Sequence, residues 1–220
     1  MKISPSLMCM DIWKIQEQIS FLNNVADMLH VDVFDGSYTK NFCFSADFVK
    51  QLSPHTTLPI DVHLCVENPG EFYDSFARAG ASTLCVHADR IYRDAYRQIA
   101  TIRDLGCQVG VVLNPAVPLS MAEPYLRLID KLTIMTVDVG FAGQALIPDT
   151  LEKIRQAIRY RNEHGCRYLV EADGQCNRKN FRRILDTGVD VMIVGASGLF
   201  HLADTIEASW AIMCQDIANA

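Results

Sequence analysis

The 220-residue sequence predicts an α/β protein, a (β/α)8 barrel of the TIM type. Three observations predict it. Short apolar runs alternate with amphipathic runs from one end of the chain to the other. Several of the short runs are nearly continuous in Val, Ile and Leu, as strands buried on both faces of a parallel sheet are. Eight such units give about 27 residues per unit, and a chain of roughly 200 residues or more can close this barrel. No linker separates two halves, so one domain over residues 1–220 is expected. A dinucleotide-binding open sheet would carry Gly-x-Gly-x-x-Gly after its first strand. Here the first strand leads into Pro5-Ser6-Leu7-Met8-Cys9, without glycine.

The elements follow in order. Strands are expected over Ile3–Met8, Met28–Phe34, Leu58–Val66, Thr83–Val86, Gln108–Leu113, Lys131–Val137, Tyr168–Ala172 and Val189–Val194. The first helix is expected over Asp11–Asn24, because Ile12, Ile15, Ile19 and Leu22 form one apolar stripe. Further helices are expected over Ser45–Leu52, Glu71–Ala79, Tyr92–Leu105, Leu119–Leu128, Asp149–His164, Arg178–Thr187 and His201–Ala218. Asp11 and Asp149 suit N-cap positions, and Gly80, Gly106, Gly165 and Gly188 suit the residue after a helix. Trp13 and Trp210 fall on apolar stripes and are expected in the core, while His55, His164 and His201 are expected in solvent.

Composition narrows the function. Half the residues are hydrophobic and 21% are charged, which excludes a disordered chain. No window approaches the roughly 18 apolar residues of a membrane span. The net charge of −6 lacks the basic excess of a nucleic-acid binder. Eight cysteines contain no Cys-x-x-Cys pair, and Met1-Lys2-Ile3-Ser4-Pro5 lacks the layout of a secretory leader. Reduced thiols and a cytoplasmic location are expected, with Cys85 and Cys107 acting as small buried hydrophobes.

In such barrels the active site lies at the C-terminal ends of the strands. The second strand carries His30 and Asp32, two residues apart and therefore on one face. The third carries Asp61-Val62-His63, and the seventh ends in Glu171-Ala172-Asp173. Charged groups inside apolar strands need a partner or a metal. His30, Asp32, His63 and Asp173 therefore make a candidate site for one divalent ion, Zn, Mn, Co or Fe. A metal beside two carboxylates suits proton abstraction next to a carbonyl and its return on the opposite face, which is epimerisation. Asp32 and Asp173 are the candidate acid and base.

Glycine-containing loops follow the last three strands. They read Gly140-Phe141-Ala142-Gly143-Gln144, Asp173-Gly174-Gln175-Cys176-Asn177 and Gly195-Ala196-Ser197-Gly198-Leu199. Backbone N–H groups in such loops hold phosphate without a basic side chain. Ser6 is either a contact to a substrate hydroxyl or a plain strand-end serine. His87 is either a neighbour of the site or structural.

Together these motifs resemble the ribulose-phosphate 3-epimerase family over the whole chain. The anchors are Pro5-Ser6-Leu7, His30-Val31-Asp32-Val33-Phe34-Asp35-Gly36, Asp61-Val62-His63-Leu64, Met135-Thr136-Val137-Asp138 with Gly140–Gln144, and Asp173-Gly174. The opening Met1–Met10, Gly140–Gln144, Asp173–Asn177 and Val194–Phe200 look closer to the D-allulose-6-phosphate branch of that family. The resemblance implies a metal-dependent barrel of the ribulose-phosphate-binding type. His30, Asp32, His63 and Asp173 would be ligands, and Asp32 and Asp173 the acid/base pair. Ser6 and His63 would contact the sugar. Gly143, Gly174, Ala196 and Ser197 would hold the phosphate, with Gly140, Phe141, Ala142 and Gln175 beside them. A homo-oligomer, dimer or hexamer, is implied too.

Four departures from the family pattern concern pocket shape. Phe34 and Cys65 stand where Met is usual, Val139 replaces a proline, Tyr38-Thr39-Lys40-Asn41 replaces Phe-Val-Pro-Asn, and Gln175 replaces a small residue. The leading expectation is 3-epimerisation between D-allulose 6-phosphate and D-fructose 6-phosphate. The alternative substrate is D-ribulose 5-phosphate, and a lower-ranked alternative is a non-catalytic sugar-phosphate-binding barrel. A decarboxylase of the orotidine-phosphate type needs a lysine among its strand carboxylates, and Asp32-Val33-Phe34-Asp35 has none.

Overall fold

A computed structural model describes residues 1–220. Eight strands form one parallel sheet: β1 (Lys2–Pro5), β2 (Leu29–Phe34), β3 (Ile60–Cys65), β4 (Thr83–His87), β5 (Gln108–Leu113), β6 (Lys131–Met135), β7 (Leu169–Asp173) and β8 (Val191–Val194). From β2 to β8 each strand pairs with the next, and β8 pairs with β1. A parallel bridge between Ser6 and His30 joins the two ends of the order, so the sheet curls into a barrel. The helices are α1 (Ile15–Leu22), α2 (Ala46–Leu52), α3 (Tyr73–Ala79), α4 (Ala88–Ile91), α5 (Ala95–Asp104), α6 (Asp149–Glu163), α7 (Phe181–Leu185) and α8 (Ile206–Ala218).

Alternation along the strands sorts the side chains. Outward positions such as Val31, Val33, Val62, Leu64, Leu84 and Ile134 join Phe76, Ile102, Ile154 and Phe181 from the helices in one apolar cluster. Burying each large apolar side chain stabilises the fold by roughly 1.5–3 kcal/mol. Inward positions are polar instead. His30, Asp32, Asp61, His63, His87, Lys131, Thr133 and Glu171 are all buried, and a small apolar group of Cys85, Val112, Met135 and Val137 fills what remains.

Several helix expectations change in detail. The first helix begins as a 3-10 turn, Ile12–Lys14, where Asp11 Oδ1 accepts from the Trp13 N–H at 3.0 Å. Trp13 is 90% exposed, so it is no core residue; the turn swings it off the α1 stripe. Trp210 does pack, edge-on against Phe21. The unit expected as a helix over Leu119–Leu128 is two 3-10 segments, Leu119–Met121 and Glu123–Leu128. Pro124 lacks the N–H that an α-helix would use there. Asp149 lies in the first turn of α6, and Pro148 takes the cap position. Thr205 caps α8 instead of a helix starting at His201. Gly80 ends α3 at φ +108°, and Gly106, Gly165 and Gly188 make the same left-handed turn. His55, His164 and His201 are exposed, as expected.

Candidate active site

Strand register assembles the site. His30 lies beside Asp61, and Asp32 beside His63, in the β2–β3 ladder. Asp173 comes from β7 and meets the same histidines across the barrel mouth. His30 Nε2 stands 3.3 Å from Asp32 Oδ1 and 3.9 Å from Asp173 Oδ2. His63 Nδ1 stands 3.3 Å from Asp32 Oδ1 and 3.7 Å from Asp173 Oδ2. The Ser6 hydroxyl, just past the end of β1, donates to Asp32 Oδ2 at 2.7 Å and pins that carboxylate.

The outer nitrogens of the two imidazoles have separate partners. His30 Nδ1 lies 2.8 Å from Asp61 Oδ2. His63 Nε2 lies 2.9 Å from His87 Nε2, with the rings stacked at 24°. Burial, reinforced by His63 and Arg90, pushes the His87 pKa well below its ordinary value, so that ring is neutral. Burial disfavours the His30 cation, but Asp32 and Asp61 outweigh it and raise its pKa.

The two facing carboxylates differ. Burial would raise Asp32, yet the positive charge of His30 beside it, helped by His63, holds it well below the usual carboxylate range. Burial wins at Asp173 and pushes it up to about 6, against His30 and with the repulsion of Asp32. Carboxyl groups whose environments drive them apart suit the roles of base and acid.

The donor set fits a divalent metal. His30, Asp32, His63 and Asp173 bring their ligand atoms within 4.8 Å of one another. His30 Nε2 is buried, faces this point and makes no hydrogen bond. Its other nitrogen meets a carboxylate, the arrangement that orients a metal-ligating histidine. Two imidazoles and two carboxylates suit Zn, Mn, Fe or Co.

A cleft opens above these residues. Ser6, Asp32, His63 and Asp173 line it together with Gly140, Phe141, Ala142, Gly143, Gly174, Gln175, Ala196 and Ser197. His30 lies beneath the cleft wall, 1% exposed. Gly174 takes φ +115°, and a Cβ there would stand 2.7 Å from Val137 Cγ2. Gly198 packs on the Cys176 carbonyl so closely that no side chain fits. Asn177 Nδ2 donates to Ser197 Oγ at 2.9 Å and ties the last two loops together. Asn41 Nδ2 donates to Gly140 O at 2.7 Å and anchors the loop after β6. Gln175 is the one residue other than glycine with a positive φ, +51°.

Of the departures from the family pattern, Phe34 and Val139 line the cleft, whereas Cys65 is fully buried away from its wall. All eight cysteines are free. Cys85 is more than a small hydrophobe, because its thiol donates to Asp61 Oδ1 at 3.0 Å. Sequence reasoning also missed Lys131, read as the start of an apolar strand. It is 5% exposed and pairs with Asp61 and, at 3.0 Å, with Glu171. Its position in line with the buried Asp61 and Glu171 was the available hint.

Comparison with known proteins identifies the family. The profile of the ribulose-phosphate 3 epimerase family matches residues 2–200. Ribulose-phosphate 3-epimerase of Aquifex aeolicus is 36% identical over 207 residues, covering 94% of this chain and 92% of that protein. Those of Bacillus subtilis and Escherichia coli are each 34% identical, covering 89% and 92% of this chain and 91% and 90% of theirs. Among solved structures, a mutant tryptophan synthase alpha-subunit of Pyrococcus furiosus superimposes with a TM-score of 0.68 over 98% of this chain and 96% of that one. At 13% identity that likeness concerns the barrel alone.

Proposed function

The chain belongs to the ribulose-phosphate 3-epimerase family and is an isomerase, and on that premise we propose that it interconverts D-ribulose 5-phosphate and D-xylulose 5-phosphate. The six-carbon D-allulose 6-phosphate, favoured on sequence motifs, is set behind this reading. Relatives that cover nearly the whole chain are named for the pentose phosphate, and nothing in the comparisons favours the hexose.

One observation carries the reaction type. Asp32 and Asp173, from β2 and β7, approach the same two imidazoles at the floor of a cleft whose walls are the three glycine loops. A ketose lying there, with its phosphate against Gly143, Gly174, Ala196 and Ser197, puts its C3 between the carboxylates. Asp32 takes the C3 proton on one face, and Asp173 supplies a proton on the other, which inverts that carbon. The Ser6 hydroxyl keeps Asp32 turned toward the sugar. His30, Asp32, His63 and Asp173 would hold one divalent metal, which when bound supplies positive charge beside the sugar's carbonyl and neighbouring hydroxyl oxygens. The remaining parts of the proposal are one functional domain over residues 1–220, a cytoplasmic location, and a homo-oligomer, dimer or hexamer. No helix is long and apolar enough to cross a membrane.

The test is a side-by-side assay of metal-loaded protein with ribulose 5-phosphate and allulose 6-phosphate. A higher kcat/KM for the five-carbon sugar is expected. A clear preference for the six-carbon sugar reverses the substrate assignment, and turnover of neither restores the binding-barrel alternative.

A further inference from the structure

Below the candidate metal position the barrel interior holds a chain of buried charge that epimerisation does not use. Asp61 on β3, Lys131 on β6 and Glu171 on β7 are 1%, 5% and 0% exposed. Three donors converge on Asp61. His30 Nδ1 and Lys131 Nζ both meet Oδ2, and Cys85 Sγ meets Oδ1 at 3.0 Å. Lys131 reaches across the lumen and is balanced on its other side by Glu171 at 3.0 Å. Glu171 in turn accepts from the Thr133 hydroxyl at 2.8 Å. A lone buried carboxylate would be expelled or neutralised. Lys131 makes a permanent carboxylate possible at this depth.

That carboxylate has one consequence for the site above. An ionised Asp61 only accepts hydrogen bonds, so the proton of His30 is drawn to Nδ1. Nε2 is then the nitrogen left to bind a metal once it gives up any proton of its own, and it is a buried atom with no hydrogen-bond partner. We propose that Asp61, fixed by Lys131, is a positioning residue that sets the orientation and tautomer of His30 for metal binding. The inference rests on the metal reading given above.

The test uses full-length protein, Zn2+ as the probe metal, and two readouts apart from activity. In 15N-histidine-labelled, Zn2+-loaded wild type, the expected spectrum shows a proton on His30 Nδ1 and the metal on Nε2. Zn2+ on Nδ1 overturns the proposal. In chelator competition, Asp61→Leu combined with Lys131→Met is expected to weaken Zn2+ binding roughly 10–100-fold, the range for partners of metal-bound histidines. The paired change removes the acceptor without stranding a buried ammonium. Asp61→Asn rescues much of the loss, since its amide oxygen can still accept from Nδ1. Unchanged affinity in a folded double variant overturns the proposal while leaving the metal site intact. Failure of wild type to bind Zn2+ at all refutes the metal reading itself, a different result. If the double variant does not fold, the wild-type spectrum decides alone.

Discussion

His63 and His87 face each other Nε2 to Nε2 at 2.9 Å inside the barrel. Two nitrogens at that distance share one proton, so one ring donates and the other accepts. His63 points Nδ1 at Asp32 and Asp173. With Nδ1 as the ligand atom, its proton sits on Nε2 and is donated to the neutral His87. His87 is therefore a partner of the site, the first of the two roles its sequence position left open.

Replacing it tests this. His87→Phe leaves the His63 N–H buried without an acceptor, which costs about 1–3 kcal/mol. Metal affinity is expected to fall at least about tenfold. Chelator competition and thermal unfolding of the metal-free protein separate the two effects.

The carboxylate pair makes the sharpest kinetic prediction. Asp32→Asn and Asp173→Asn each remove one proton-transfer group, and turnover is expected to fall by roughly 10²–10⁴. Steady-state kinetics with metal content measured in the same samples check it. Normal metal occupancy with lost turnover supports the acid/base role.

Metal removal is the next check. Dialysis against a chelator should abolish activity, and readdition of Zn, Mn, Co or Fe should restore it. The order of rescue identifies the preferred ion. Activity that survives complete removal would remove the metal from the account.

The phosphate loops are tested at Gly198, whose added methyl would collide with the Cys176 carbonyl. Gly198→Ala should push the loops after β7 and β8 apart, destabilise the protein by about 1–3 kcal/mol and raise KM for the sugar phosphate. Calorimetry and steady-state kinetics read both changes.

Much of this was legible in the sequence. All eight strands appear where apolar runs place them, because a strand buried on both faces has to be apolar outward. His30, Asp32, His63 and Asp173 were visible as polar residues at the ends of such strands. Short-range geometry was less legible. The 3-10 turns at Ile12–Lys14 and Leu119–Leu128 share their apolar spacing with α-helices, and only Pro124 warned of the second. Lys131 was hidden for a different reason. Its partners Asp61 and Glu171 lie 70 and 40 residues away in the chain, and only the closed barrel brings them together. Substrate choice was over-read from local motifs, since loops that cradle phosphate report little about the number of carbons.

The most direct test of proton exchange between two carboxylates is single-turnover epimerisation of ribulose 5-phosphate in D2O. The account predicts xylulose 5-phosphate with one deuterium at C3, because the proton taken by Asp32 is not the one delivered from Asp173. Product that retains its original C3 hydrogen would contradict it.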